Sequence, residues 1–319
     1  MYRFATAIGV DLARQSIRIA VIRHNGEVLL SENYPLRAKK DKEYIIAELV
    51  SSIGRIREKA ASIGVNPIAV GLAVRGFVDH ENGTVLGPGH GIKNWKNIPL
   101  SRLLNRETAL PVFVGNDANL MTIAEQKFGA ANGFSNVIFV ALRTGIGGGI
   151  IINGNLYRGV NNAGGEIGQM IINFEGGLSE TGIKGSFEHY ASASAMVTRY
   201  ARDCGLDSKQ AASLTAKDIF SLSYRKDPNA VKVVRENAYL VGLGLSNLIT
   251  IFAPEIIVLG GGMAEARDSY ISLIRKSAFS NSLENCRTEV KIERAALGRN
   301  SALIGAAYYS LTRLAGKNI

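Results

Sequence analysis

Cysteine is scarce in this chain of 319 residues: Cys204 and Cys286 stand alone, with no CxxC pair. That excludes a disulfide framework and sets a reducing compartment, the cytoplasm, as the expectation. The four histidines, His24, His80, His90 and His189, are scattered, so no metal-ligand spacing is visible. Long apolar runs are missing as well. Stretches such as Ile256–Leu259 are far too short to span a bilayer. The start, Met-Tyr-Arg-Phe, runs straight into a strand pattern, with no charged segment, long apolar region and small-residue cleavage site in series. Export and membrane association are therefore not expected. No helix-turn-helix segment precedes the first strand, so a DNA-binding head is not expected either.

What is present describes a globular protein. Hydrophobic residues make up 46% and charged residues 20%, a balance that a packed core needs and a disordered chain lacks. The length suggests about two domains. The net charge of +10 comes from 37 basic and 27 acidic residues. Such a balance invites a nucleic-acid reading. The basic residues are dispersed, however, and the densest short run, Arg37-Ala-Lys-Lys, falls in a loop. A basic surface that keeps the protein soluble and attracts anionic substrates such as nucleotides accounts for it.

The pattern along the chain has two similar halves. Ala7–Asp11 reads as a buried strand, and Ile17–Arg23 and Val28–Tyr34 flank Asn25-Gly26 as a hairpin. Tyr44–Ile63 has helical spacing at Ile45, Leu49, Ile53, Ile56, Ala60 and Ile63. Ile68–Val74 and Val112–Val114 read as strands and Ala118–Phe128 as a helix. Val137–Leu142 then starts the pattern again, and Gly149–Ile152 leads to a second Asn-Gly, Asn153-Gly154. Helices near Ser194–Cys204, Lys217–Leu222 and Asn229–Phe252 follow. Strand Glu255–Leu259, helix Arg267–Ser277, strand Val290–Glu293 and helix Ala302–Arg313 complete the chain. Two strand-rich units, each followed by helices, predict two α/β domains.

Several segments can carry chemistry, each with a plainer reading beside it. Thr144-Gly-Ile-Gly-Gly-Gly is either a phosphate loop offering backbone N–H groups or a tight hairpin turn. Gly260-Gly261-Gly262 follows a buried strand, where a nucleotide base or ribose binds in many α/β folds, or is a turn that needs glycine. Asp11 ends the first strand and either holds Mg²⁺ through water or caps a turn. Asp117, in Gly115-Asn-Asp-Ala-Asn, is either a helix N-cap or a general base for an attacking hydroxyl, with Asn116 holding a neighbouring one. Glu166, Gln169 and Glu188 lie near further glycine-rich turns. Each is a surface group or a partner for a hydroxyl-rich ligand.

In order, Val114-Gly-Asn-Asp-Ala-Asn, Thr144-Gly-Ile-Gly-Gly-Gly-Ile-Ile-Ile-Asn-Gly, Gly164-Gly-Glu-Ile-Gly, Ile257-Val-Leu-Gly-Gly-Gly and Ala302-Leu-Ile-Gly-Ala-Ala resemble the motifs of ROK-family sugar kinases and repressors. The resemblance runs from about Ile8 to Leu311. It implies an actin-like ATPase (ribonuclease H-like) fold, two α/β domains around a deep cleft where sugar and ATP meet. The N-terminal domain would span 1–117 plus about 301–319, and the C-terminal domain 118–300. The resemblance also implies a homodimer. Asp117 matches the catalytic base. Gly76, Gly89, Asn116, Glu166 and Glu188 fall where relatives contact sugar, and Gly145, Gly147 and Gly260–Gly262 where they contact nucleotide. Asp11 matches the metal-associated aspartate. The implied activity is transfer of phosphate from ATP, with Mg²⁺, to the 6-hydroxyl of a hexose or N-acylhexosamine. Glucose, N-acetylmannosamine and N-acetylglucosamine are the candidate sugars.

Three departures stand out. The family's kinases usually read Asp-Ile/Leu-Gly-Gly-Thr at the first loop, and here Ala13, Arg14 and Gln15 follow Asp11-Leu12. Arg14 either obstructs ATP or pairs with a phosphate. Arg143 stands for the usual glycine before Thr144. Gln169 stands for a histidine, and residues 177–188 stand for a Cys-rich zinc segment, so no structural zinc is expected; Gln169 keeps the capacity to bond a sugar hydroxyl. The zinc-free loop resembles that of some bacterial N-acetylmannosamine kinases. A sugar-binding sensor without ATP chemistry is the alternative reading.

Overall fold

The computed structural model describes residues 5–87, 91–179 and 181–317. The chain divides into two compact units, Met1–Gly133 with Ile150–Gly164 and Ala296–Ile319, and Phe134–Gly149 with Gly165–Ala295.

The first unit opens with three antiparallel strands, β1 (Thr6–Leu12), β2 (Ser16–Arg23) and β3 (Val28–Pro35). β4 (Lys40–Asp41) leads into α1 (Lys42–Ser62), where the Asp41 carboxylate caps the Tyr44 amide at 2.9 Å. Of the expected stripe, Ile45, Leu49, Ile53, Ile56 and Ala60 are buried, whereas Ile63, just past the end of α1, is 55% exposed. Next come β5 (Val70–Val74), the hairpin β6 (Phe77–Asp79) and β7 (Thr84–Gly87), β8 (Ile92–Lys93), α2 (Leu100–Thr108), β9 (Val112–Asn116) and α3 (Asp117–Phe128). β1, β5 and β9 run parallel, and the sheet order is β3-β2-β1-β5-β9.

The second sheet, in the order β12-β11-β10-β13-β14, is built from β10 (Val137–Leu142), β11 (Ile146–Ile152), β12 (Asn155–Tyr157), β13 (Ile256–Gly260) and β14 (Lys291–Arg294). The division between the units falls inside β11. Between β12 and β13 lie α4 (Phe187–Ala191), α5 (Ala193–Asp203), α6 (Ser208–Ala212), α7 (Ala216–Tyr224) and α8 (Pro228–Phe252). α9 (Asp268–Ser280) and α10 (Glu284–Arg287) separate β13 from β14, and α11 (Ser301–Leu314) ends the chain. β10, β13 and β14 are parallel neighbours, so each crossover carries helices. No helix among the described residues is long and apolar enough to cross a membrane.

The two Asn-Gly turns differ. Asn153 and Gly154 both take positive φ, at 51° and 79°, the requirement of a two-residue hairpin. At Asn25-Gly26 only Gly26 does, at 86°. The Gly26 amide bonds to Arg23 O, and Arg23 N bonds to Glu27 O, so this loop is longer and closes with the glycine in the left-handed region.

α11 belongs to the first unit and lies on the opposite face of its sheet from α1. Its backbone rests on the strands: a Cβ on Gly9 would sit 2.1 Å from Leu303 O, and one on Gly71 only 1.8 Å from Ala306 O. One face of the sheet carries the larger cluster of Ile8, Val10, Ile19, Leu49 and Leu72; the other packs Ala7, Ala20 and Ala69 under Leu303 and Ala307. α3 also packs on α11. The Glu125 carboxylate, fully buried, accepts from the amides of Ala130, Ala296 and Leu297 at 3.0, 3.0 and 3.1 Å and from Ser301 Oγ at 2.8 Å. It thereby places negative charge at the N-terminus of α11, where the helix dipole favours it.

Candidate functional site

In the first unit, the groups singled out above lie at the carboxyl ends of parallel strands, the usual place for ligands in such sheets. β9 ends in Asn116, and α3 begins at Asp117. The N-cap is Asn116: its Oδ1 accepts the Asn119 amide at 3.0 Å, and its Nδ2 donates to Gly76 O at 3.1 Å. Gly76, at φ 98°, sits in the turn after β5. Asn116 thus braces two strand ends against each other. Asp117 is half-buried, and its Oδ1 accepts the Ala118 amide at 2.9 Å. The capping alternative for Asp117 is therefore filled by its neighbour. Asn119, in the same motif but not among the candidates read from it, has a buried amide oxygen without a partner among the described residues.

Asp11, next to last in β1, is 6% exposed and meets Arg18 Nη1 at 3.4 Å. The pair is a direct cross-strand match, Asp11 opposite Arg18. Arg14 and Gln15 are exposed at the turn, and Lys40, a residue with no sequence signal, reaches the turn from β4 and donates to Arg14 O. Gly89 lies outside the described residues.

In the second unit, the loop at Thr144 is a tight turn, with Arg143 N bonded to Gly145 O at 2.9 Å, and β11 begins at Ile146. Its carbonyls are held from behind: Ala193 N donates to Arg143 O at 2.9 Å and Ser194 N to Thr144 O at 3.4 Å, both from the first turn of α5. None of Gly145, Gly147, Gly148 and Gly149 takes a positive φ. At Gly148 the reason for glycine is packing, since a Cβ would stand 2.3 Å from Ile167 Cδ1. Glu188, on α4, is drawn to this loop: its Oε2 accepts the Ile146 amide at 2.7 Å.

The Gly260–Gly262 turn covers the end of β10. Gly261 takes φ 87°, and a Cβ there would lie 2.4 Å from Leu142 O and 2.8 Å from Arg143 Cγ. Gly262 is exposed with nothing near its missing Cβ. The second unit therefore brings Thr144, Gly145, Gly147, Gly261 and Glu188 into one neighbourhood. Glu166 is exposed in the turn after Gly165, and its carbonyl accepts Gln169 N at 3.0 Å. Gln169 faces another way, accepting from Thr181 Oγ1 at 2.7 Å. That bond, the bridges Ile171–Ser186 and Leu178–Lys184, and the Gly177 amide on Tyr190 Oη at 2.9 Å close the loop that holds Thr181. Among the described residues, no three of His, Cys, Asp and Glu lie together as metal ligands.

The ROK family model matches residues 7–313. A glucokinase from Halalkalibacterium halodurans is 31% identical over 311 residues, covering 94% of this chain and 93% of its own. A xylose repressor from Bacillus subtilis is also 31% identical, over 302 residues, covering 94% of this chain and 75% of its own. Among solved structures, a ROK family glucokinase from Streptomyces griseus in complex with glucose and AMPPNP has a TM-score of 0.83 at 31% identity, covering 97% of this chain and 100% of its own.

Proposed function

The chain belongs to the ROK family and has the actin-like ATPase fold, and from that premise we propose that it is an ATP-dependent sugar kinase. Its acceptor is the 6-hydroxyl of a hexose or N-acylhexosamine, of the glucose, N-acetylmannosamine or N-acetylglucosamine type. The observation that carries this reading is the division of labour at the end of β9: Asn116 is the N-cap of α3, and Asp117, whose Oδ1 accepts the Ala118 amide, is not needed as the N-cap. Asp117 takes the proton of the 6-hydroxyl as its oxygen bonds to the γ-phosphorus of ATP. The bond from that phosphorus to the bridging oxygen breaks, and ADP leaves.

Gly76 and Asn116 position hydroxyls beside Asp117, and Gly89 is assigned the same role. Glu166, Gln169 and Glu188 are the hydroxyl partners from the second unit. Glu188 has one oxygen on the Ile146 amide, so it also fixes the phosphate loop. Thr144, Gly145 and Gly147 take phosphate, Gly260–Gly262 take the nucleoside, and Arg14 joins the phosphates. Asp11 suits Mg²⁺ held through water: among the described residues it is a single carboxylate without a metal-binding cluster around it, and Mg²⁺ keeps several waters and leans on the substrate phosphates. When bound, the ion neutralises charge that develops on those phosphates.

The likeness to glucokinases across nearly the whole length supports the reading. A second reading, a sugar-binding sensor without ATP chemistry, is favoured by the altered turn at Ala13–Gln15 and by the likeness to xylose repressors. A coupled ADP-release assay across glucose, fructose, N-acetylglucosamine and N-acetylmannosamine, with calorimetry of each sugar, separates the two. Sugar-dependent ADP release is expected. Sugar binding without any ADP release would leave the sensor.

A further inference from the structure

The β1–β2 turn stands where the family's kinases carry glycines, yet Ala13, Arg14 and Gln15 all avoid positive φ. The backbone is therefore one that side chains accept without strain. Two of its carbonyls are held by the segment after β3: Leu36 N donates to Gln15 O at 2.8 Å, and the Lys40 ammonium donates to Arg14 O. Among the described residues, the amides of Arg14 and Gln15 have no acceptor in the protein.

Lys40 is 9% exposed. Among the described residues, its one bond is to that carbonyl, which uses one of three ammonium donors. Burial, and then the nearby Arg14 guanidinium, pull its pKa below the ordinary lysine value. A buried cation beside a second cation, with a single neutral acceptor, is unfavourable unless an anion joins it. The carboxylate that precedes the turn, Asp11, is engaged by Arg18. The position of Lys40 thus makes chemical sense with a phosphoryl group at the turn.

We infer that Lys40, with Arg14, forms a phosphate-binding site at the β1–β2 turn, in which side-chain cations supply the charge complementarity that a glycine loop draws from backbone amides. Lys40 has two roles in this site. It holds the Arg14 carbonyl away from the anion, and it contributes a fixed point charge of the kind that suits phosphate. The inference rests on the kinase reading for its place in a reaction, but not for the binding itself.

The test is calorimetry with tripolyphosphate, ATP and adenosine on the parent, Lys40→Met, Lys40→Gln, Lys40→Arg and Arg14→Ala, with melting temperatures recorded. Lys40→Gln keeps a donor for the Arg14 carbonyl but lacks the charge. Lys40→Met and Lys40→Gln should both lose roughly ten- to a hundredfold in affinity for tripolyphosphate and for ATP, the scale of a charge-assisted bond. Adenosine binding should hold, and Lys40→Arg should recover part of the loss. Parental tripolyphosphate affinity in Lys40→Gln would overturn the inference, leaving Lys40 a latch for the turn. No tripolyphosphate binding to the parent would overturn it as well. Lys40-dependent tripolyphosphate binding without turnover on any sugar would sustain this site while removing the kinase reading.

Discussion

The side chains of Asn116 and Asp117 are adjacent in sequence but should fail in different ways when replaced. Asp117→Asn preserves shape and an oxygen that can accept the Ala118 amide, now held at 2.9 Å. The cap of α3 stays in place because Asn116 provides it. Folding stability should therefore change by less than about 1 kcal/mol, the size of one ordinary hydrogen bond. Turnover should fall by roughly 10²–10⁴-fold, the usual worth of a general base, or about 2.7–5.4 kcal/mol at 1.36 kcal/mol per decade. Asn116→Ala removes the cap and the bond to Gly76 O together. A lost cap costs about 0.5–2 kcal/mol, and the lost bond about 1 more, so this variant should melt earlier. Thermal denaturation and a coupled ADP-release assay, run on both variants, give the two readouts. Asp117→Asn turning over within tenfold of the parent would refute the assignment of the base. An Asn116→Ala variant as stable as the parent would refute the bracing role.

Glu125→Ala should destabilise the first unit by several kcal/mol, at about 1–3 kcal/mol for each donor left unsatisfied, because it leaves the amides of Ala130, Ala296 and Leu297 without this acceptor; a urea titration showing less than about 1 kcal/mol would count against it. His80 lies against Asn162 and Glu81, with Arg158 and Arg313 nearby, and burial followed by Arg158 holds its pKa below the ordinary 6.5. The unfolded chain then takes up a proton before the folded one does, so stability should be full above pH 6.5 and fall as pH drops below it. His80→Gln should flatten that decline in melting temperature between pH 7 and 5.5; an unchanged slope would rule His80 out as its source. Elemental analysis of the purified protein should find no stoichiometric zinc, since Gln169, Thr181 and Tyr190 close the loop by hydrogen bonds; one tightly held zinc per chain would contradict this.

Local chemistry determined a large part of the architecture. The stripe from Ile45 to Ala60 could be read as a helix because its period is carried by neighbours three and four residues apart. Strand Val137–Leu142 was legible to the residue. The order of five motifs placed the chain in its family. By contrast, α2 has Pro99 at its N-cap and no side-chain cap, and the strands of the β6–β7 hairpin are three and four residues long, so neither carries a strong local signal. Which of Asn116 and Asp117 caps α3 depended on φ and ψ at the strand end. The glycine at 148 answers to Ile167, and those at 9 and 71 to a helix almost 300 and 235 residues later. Lys40 was silent in the sequence, and its burial beneath the Arg14 carbonyl was decided by how β4 packs. Periodicity, turn chemistry and motif order are properties of neighbouring residues, and the sequence by itself determined them. Burial, the partner of each carboxylate and the reason for each close glycine arise from contacts between distant segments, and only the tertiary structure decided those.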